Sequence, residues 1–137
     1  MNKVIVSLAI LLSLLSGAEK SNWTHTYKYT LKKDELAKIS FSNVKSKDKY
    51  SFFFRWTTIV SDRVTVLLNY KGYPHQYILY KKRSLDRVKF FVLSDGKNRL
   101  DDKSYIIVAL DEINQEKKIV SFDIFIKDDK NRILVEF

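Results

Sequence analysis

Short segments rich in aromatic and β-branched residues follow one another along this chain from residue 22 to its end. At 22–30, large rings alternate with threonine and lysine, and 50–60 contains three consecutive phenylalanines and ends in threonine, isoleucine and valine. A period of two and enrichment in such residues are typical of β-strands. The pattern predicts strands at 22–30, 39–41, 50–60, 64–70, 76–80, 87–93, 105–110, 119–127 and 132–137.

The segments between these predicted strands have the composition of turns. Ser61-Asp62 and Lys71-Gly72 are two examples, and 94–98 and 114–117 combine residues that favour turns. No long helical segment is interleaved, which argues against an α/β fold. We therefore predict an all-β chain, with residues 19–137 forming a single antiparallel β-sandwich of about 7–9 strands.

Residues 1–18 have the features of a secretory signal peptide. Lys3 gives a positive start, 4–15 is nearly all apolar, and Ser16-Gly17-Ala18 supplies the small residues before a cleavage site. The apolar run is shorter than the roughly 20 residues that span a bilayer. We expect cleavage after Ala18, no transmembrane segment in the mature chain, and a periplasmic or secreted bacterial protein. The chain lacks cysteine, so lipid attachment at a lipobox is excluded.

Two aromatic positions resemble the pattern of the immunoglobulin-like fold. Trp56 lies on the third predicted strand, and Tyr105 opens a late strand four residues after Asp101, like the tyrosine corner of that fold. The resemblance covers about residues 36–110 and implies an immunoglobulin-like sandwich in which the Tyr105 hydroxyl bonds to nearby backbone. It also implies that Trp56 is buried between two sheets, and we expect its neighbours to be Phe41, Phe54, Ile107 and Phe122.

Residue types used for catalysis or metal binding are scarce. The two histidines, His25 and His75, have no ligand spacing around them, and no nucleophile motif of the G-x-S-x-G type occurs. The acidic pairs lack the spacing of calcium loops and are expected to be solvated turn residues. The sequence therefore predicts no enzyme, no cofactor and no metal site.

Basic residues and aromatic rings are concentrated together in one stretch. Between 71 and 89 there are six lysines and arginines and one acidic residue, in a chain whose net charge is +9. Such a stretch can hold an anionic polymer or stack on sugar rings, or can simply keep edge strands soluble. The candidate anionic-partner patch is Lys81, Lys82, Arg83, Arg87 and Lys89. The candidate aromatic platform is Tyr70, Tyr73 and Tyr77.

We therefore expect a non-catalytic binding module for an envelope macromolecule, either a protein or an anionic polymer or glycan. The alternative is a lectin-like glycan binder or a binder of anionic envelope polymers, and nucleic acid is not expected as a partner. A hydrolase remains a further alternative, because paired carboxylates can converge only in the fold. So does a small outer-membrane β-barrel, because Ile133, Val135 and Phe137 alternate at the end of the chain. The oligomeric state is left open.

Overall fold

A computed structural model of the protein describes residues 22–82, 84–92 and 104–137, together with the backbone of Leu93. Within these ranges the regular structure consists of strands, and none of it is a helix that could cross a membrane. The strands are β1 (His25–Lys32), β2 (Ala37–Asn43), β3 (Lys49–Val60), β4 (Arg63–Tyr70), β5 (Tyr73–Tyr80), β6 (Arg87–Leu93), β7 (Ser104–Asn114), β8 (Ile119–Lys127) and β9 (Ile133–Glu136).

The strands form two antiparallel sheets. One sheet has five strands in the order β5-β4-β3-β2-β9, and the other has four in the order β1-β8-β7-β6. Consecutive strands therefore pair with each other within β2–β5 and within β6–β8, whereas β1 and β9 each join the sheet built from the other part of the chain. The predicted all-β class is confirmed, and so is the antiparallel pairing.

One apolar core is shared by the two sheets, which gives a sandwich-like arrangement. Along β3, alternate residues Phe52, Phe54 and Trp56 are buried, and along β8 the alternate residues from Val120 to Ile126 are buried as well. Residues of both sheets belong to the same cluster of packed side chains. Trp56 is 2% exposed, and the predicted core positions Phe41, Phe54 and Phe122 are fully buried.

Two buried or half-buried side chains tie the sheets together by hydrogen bonds. The indole Nε1 of Trp56, on β3, donates to the carbonyl oxygen of Leu31, on β1, at 2.9 Å. The hydroxyl of Tyr70, on β4, donates to the carbonyl oxygen of Val92, on β6, at 2.6 Å. The two bonds link the five-stranded sheet to the two edge strands of the four-stranded sheet.

One position on β7, Ile107, differs from the prediction. Ile107 and Tyr105 both lie on the outer face of the four-stranded sheet, because the residues of β7 that enter the shared core are Ile106 and Val108. Tyr105 is half-buried there, with the Nζ of Lys89 3.8 Å from its ring centroid, and its hydroxyl has no hydrogen bond to any described residue. The predicted place of Ile107 among the core neighbours of Trp56 is therefore wrong, because Ile107 is buried on the opposite face of the sheet. The backbone just upstream of Tyr105, at 94–103, lies outside the described residues, so the corner role of Tyr105 stays a prediction.

The order of the strands also bears on the immunoglobulin-like resemblance. Immunoglobulin-like sandwiches place their second and third strands in different sheets. Here β2, β3, β4 and β5 are consecutive neighbours in one sheet. The immunoglobulin-like subtype is therefore not confirmed, and Asp101, which completed the tyrosine-corner pattern, lies outside the described residues.

Candidate functional site

The centre of the predicted basic patch is the turn between β5 and β6. Lys81 and Lys82 are exposed in this turn, and Arg83 lies outside the described residues. The backbone N–H of Lys81 donates to the carbonyl oxygen of Asp62 at 2.8 Å, which holds this turn against the turn between β3 and β4. The two lysines are therefore carried on an anchored turn.

The other two described members of the predicted patch point elsewhere. The guanidinium of Arg87 forms an ion pair with Asp86, with Nε to Oδ1 at 2.9 Å. This hydrogen bond lowers the pKa of the Asp86 carboxyl and raises that of Arg87. The Nζ of Lys89 lies over the ring of Tyr105, on the outer face of the four-stranded sheet. Among the described members of the predicted patch, Arg87 is therefore neutralised locally by Asp86, and Lys89 lies against an aromatic ring.

The predicted aromatic platform is not assembled on an open face. Burial raises the pKa of Tyr70 to about 12, and its hydroxyl bonds to backbone of the opposite sheet. Tyr77 is half-buried with its ring 5.7 Å from that of Phe90, in an edge-on contact. Only Tyr73, at 71% exposure, presents its ring to solvent. Tyr70 and Tyr77 contribute to packing between the sheets.

Four turns meet at one end of the two sheets, because antiparallel connections alternate between the ends. They are the turns after β1, β3, β5 and β7. Hydrogen bonds join them: Asp34 N–H donates to Trp56 O at 3.0 Å, and the Nε2 of Gln115 donates to Ser61 O at 2.7 Å. We call these four turns, with the strand residues that flank them, the lysine end.

The name reflects three Lys-Lys pairs, which are all the Lys-Lys pairs in the sequence. One pair ends β1, one lies between β5 and β6, and one precedes β8. All six side chains are exposed, and none forms an ion pair within 4.0 Å with any described residue. The six residues are Lys32, Lys33, Lys81, Lys82, Lys117 and Lys118.

Acidic residues also occur at the lysine end, and the structure gives two of them other partners. The Glu35 carboxylate accepts a hydrogen bond from the backbone N–H of Lys32 at 2.7 Å, which closes the turn after β1. Asp86 pairs with Arg87. These two carboxylates stabilise a turn or neutralise an arginine. Asp34, Asp62 and Glu116 add negative charge in the same turns, but none of them forms an ion pair within 4.0 Å with one of the six lysines.

A cavity of about 300 Å³ lies at the lysine end beside a β-bulge in β3. Two lysines from different turns line it, together with two threonines and a glutamine, and no acidic residue is among the lining residues. We call it the first cavity. Its lining residues are Lys33, Trp56, Thr57, Thr58, Ile59, Gln115 and Lys118.

A second cavity, of about 320 Å³, lies on the other side of Gln115. Lys81 and Lys82 line it, and so do the carboxylates of Asp62 and Glu112. Glycosidases that use two carboxylates keep one of them in an apolar environment. Here Glu112 is exposed, Asp62 is half-exposed, and both lie beside lysines, so this cavity does not resemble such a pair.

The sequence interpretation missed Lys33, Gln115 and Lys118. The signal that could have found them is the repeated Lys-Lys pair in predicted turns one, five and seven. In an antiparallel chain, odd-numbered turns lie at the same end, so a count of the nine strands would have predicted that these pairs meet. Local charge density along the sequence instead predicted a patch within residues 71–89.

Chemically, this end can bind anions through ammonium groups, hydroxyl groups and an amide. No group of histidine, aspartate or glutamate side chains with the arrangement of a metal site occurs among residues 22–82, 84–92 and 104–137. Comparisons with protein-family models, with curated proteins and with solved structures found no match to the chain.

Proposed function

We propose that this protein is a non-catalytic binding module that contacts an anionic macromolecule of the bacterial envelope through its lysine end. The observation that carries the proposal is the convergence of three Lys-Lys pairs, none of them in an ion pair with a described residue. Turns held on a rigid sheet scaffold are a frequent location of binding residues in β-sandwich proteins.

The first cavity is the proposed position of one anionic group of the polymer, such as a phosphate or a sulfate. Lys33 and Lys118 supply positive charge from two turns, and the hydroxyls of Thr57 and Thr58 can donate hydrogen bonds. Anionic groups are favoured over neutral sugar rings as the ligand, because Tyr70 and Tyr77 are engaged in packing and leave a single exposed ring in the aromatic set.

The envelope location in this proposal depends on residues 1–18, which lie outside the described structure. Their charged start, apolar run and small residues before Glu19 support export with cleavage after Ala18. Mass spectrometry of the exported protein tests this part separately. A mature chain that begins at Glu19 is the expected result, and a cytoplasmic full-length chain would contradict it.

Binding is tested by calorimetric titration of the purified protein with inorganic polyphosphate and with dextran sulfate, using neutral dextran as the reference. The double variant Lys33→Glu, Lys118→Glu should bind the two anionic polymers at least about ten-fold more weakly, because two attractive contacts become repulsive. Affinity of the wild type should fall steeply as salt is raised, and the double variant should show a smaller salt dependence.

The matched control is Lys45→Glu, Lys47→Glu, which changes the net charge equally in the turn between β2 and β3, at the other end of the sheets. If the two double variants lose affinity for the anionic polymers equally, the loss is explained by net charge alone, and the proposed site is overturned. Release of shorter polymer fragments during the titration would contradict the non-catalytic proposal, with the carboxylates of Asp62 and Glu112 as the groups to substitute next.

A further inference from the structure

One strand of this structure carries no charged side chain. β5 has the sequence YPHQYILY, whereas each of the other eight strands contains at least one lysine, arginine, aspartate or glutamate. Charged residues make up 30% of the chain, so their absence from eight consecutive strand positions distinguishes β5 from its neighbours.

β5 is also an edge strand. Among the described residues it pairs with β4 alone, and five of its eight side chains are exposed. Edge strands offer unpaired backbone groups to other chains, and proteins commonly protect them with charged side chains. The other three edge strands of the two sheets, β1, β6 and β9, all contain charges, so β5 is the one described edge without charged side chains, and Pro74 is the one edge-protecting residue on it.

The backbone of β5 directs hydrogen-bonding groups toward its open side. The N–H of Tyr80 points away from β4, because it donates to the carbonyl oxygen of Leu85 at 3.0 Å. The β4–β5 register has no irregularity, so alternation of the backbone directs the amide groups of Gln76 and Ile78 to the same side. Pro74 shares this phase, so its missing N–H costs β5 no bond to β4 but removes one donor from the open side. With Tyr80 N–H bonded to Leu85, the open-side donors left for a partner are those of Gln76 and Ile78.

We propose that β5 pairs antiparallel with β5 of a second copy of this chain, about a two-fold axis close to Gln76. A two-fold axis perpendicular to a sheet makes identical edge strands antiparallel, which continues the pairing found throughout both sheets. In this register Gln76 lies opposite Gln76 of the second copy, and Ile78 lies opposite Pro74 of the second copy. Opposite residues project from the same face of the sheet, so these side chains are neighbours.

The second copy fits this edge better than another occupant of different chemistry. Two copies of β5 bring no like charges together within the strand pair; the nearest like charges are Lys71 of one copy and Lys81 of the other, in the turns at each end of the pair. β5 carries no cationic side chain that an anionic polymer could contact. The dimer proposal is independent of the lysine end. An interface of one strand pair lies at the small end of protein interfaces, so we expect a dimer that dissociates on dilution.

Sedimentation velocity over a wide range of protein concentration tests the proposal. The wild type should move from monomer to dimer, whereas Ile78→Lys should remain monomeric because it places two ammonium groups at the paired edges. The control is Leu134→Lys on β9, an exposed apolar residue at the other edge of the same sheet, which should dimerise as the wild type does.

A wild type that stays monomeric at millimolar concentration would overturn the proposal, and so would loss of the dimer in Leu134→Lys. Cross-linking provides a second measurement that does not depend on Ile78→Lys folding correctly. The chain has no cysteine, so Gln76→Cys introduces a single thiol beside the proposed axis. It should form a disulfide-linked dimer under mild oxidation much faster than Thr26→Cys on β1, and equal rates would contradict strand pairing at β5.

Discussion

Replacing Trp56 by phenylalanine tests whether its hydrogen bond helps to hold the two sheets together. The substitution keeps an aromatic ring at a position that is 2% exposed, and it removes the indole N–H that donates to the Leu31 carbonyl oxygen at 2.9 Å. Leu31 lies on β1, which belongs to the opposite sheet. The change therefore separates the contribution of an inter-sheet bond from that of a buried ring.

The expected loss has two parts. Three ring atoms disappear, and a void of about 30–40 Å³ at about 24 cal/mol per Å³ corresponds to roughly 1 kcal/mol. A buried carbonyl that loses its donor costs about 1–3 kcal/mol. We expect Trp56→Phe to reduce the free energy of unfolding by about 2–4 kcal/mol, with the lower figure applying if water from the neighbouring first cavity reaches the Leu31 carbonyl.

The assay is urea unfolding followed by circular dichroism, because a fluorescence signal would change with the tryptophan itself. Phe122→Leu is the matched control: it also removes three carbon atoms from a fully buried side chain of the same core, but no hydrogen bond. The tryptophan variant should lose more stability than this control by about 1–3 kcal/mol. Equal losses for the two variants would refute a stabilising role for the inter-sheet bond.

Two further substitutions address other inter-strand ties. Tyr70→Phe should cost about 0.5–1.5 kcal/mol at neutral pH by removing the bond to Val92. The pKa of Tyr70 is raised from 10.0 to about 12 in the folded protein, so its contribution to the free energy of unfolding is full below pH 10 and is lost as pH rises through 12. Between these pH values, the free energy of unfolding should therefore fall less steeply in Tyr70→Phe than in the wild type. Asp128→Ala should reduce the free energy of unfolding by about 1–3 kcal/mol, because the buried carboxylate accepts hydrogen bonds from Ile133 N–H and the Ser104 hydroxyl. Faster hydrogen exchange at the Ile133 amide would locate the effect on β9, and unchanged exchange there would contradict this explanation.

The strands themselves could be predicted because the signal is local. The run 64–70 places apolar residues at alternate positions, and the structure buries Val64, Val66 and Leu68; this alternation is visible in the sequence without knowledge of any partner strand. The same rule failed on β7, where Ile106 and Ile107 are both apolar. With apolar residues on both faces, the sequence does not indicate which phase enters the core, so Ile107 was assigned to the wrong face.

The partition of strands between the sheets could not be predicted, because it depends on contacts far apart in sequence. β1 pairs with β8, and β9 pairs with β2, so the two terminal strands are exchanged between the sheets. The covering of the predicted aromatic platform also depends on contacts that are distant in sequence. Tyr70 and Tyr77 are covered because Phe90 and the carbonyl of Val92 approach from the other sheet, which no local pattern in 70–80 reveals.

The two proposals have a combined geometric consequence. β5 runs toward the lysine end, which begins directly after Tyr80. Antiparallel pairing of β5 with its copy therefore directs the two lysine ends of a dimer in opposite directions. A dimer of this geometry cannot place both lysine ends on one short anionic segment, and it is suited to linking two polymer chains or two distant parts of one chain.

This geometry predicts that polymer binding and polymer cross-linking can be separated. The wild type should make long-chain polyphosphate solutions turbid at protein concentrations above those at which it dimerises, since each dimer links two chains. Ile78→Lys should bind short polyphosphate as tightly as the wild type, because β5 contributes no residue to the first cavity, and yet should leave the long-chain solution clear. Lys33→Glu, Lys118→Glu should dimerise normally and also leave the solution clear. A monomer with one lysine end has no second site with which to link chains, which is why Ile78→Lys is expected to leave the solution clear. Turbidity with Ile78→Lys equal to that of the wild type would therefore show that cross-linking does not require the β5 edge.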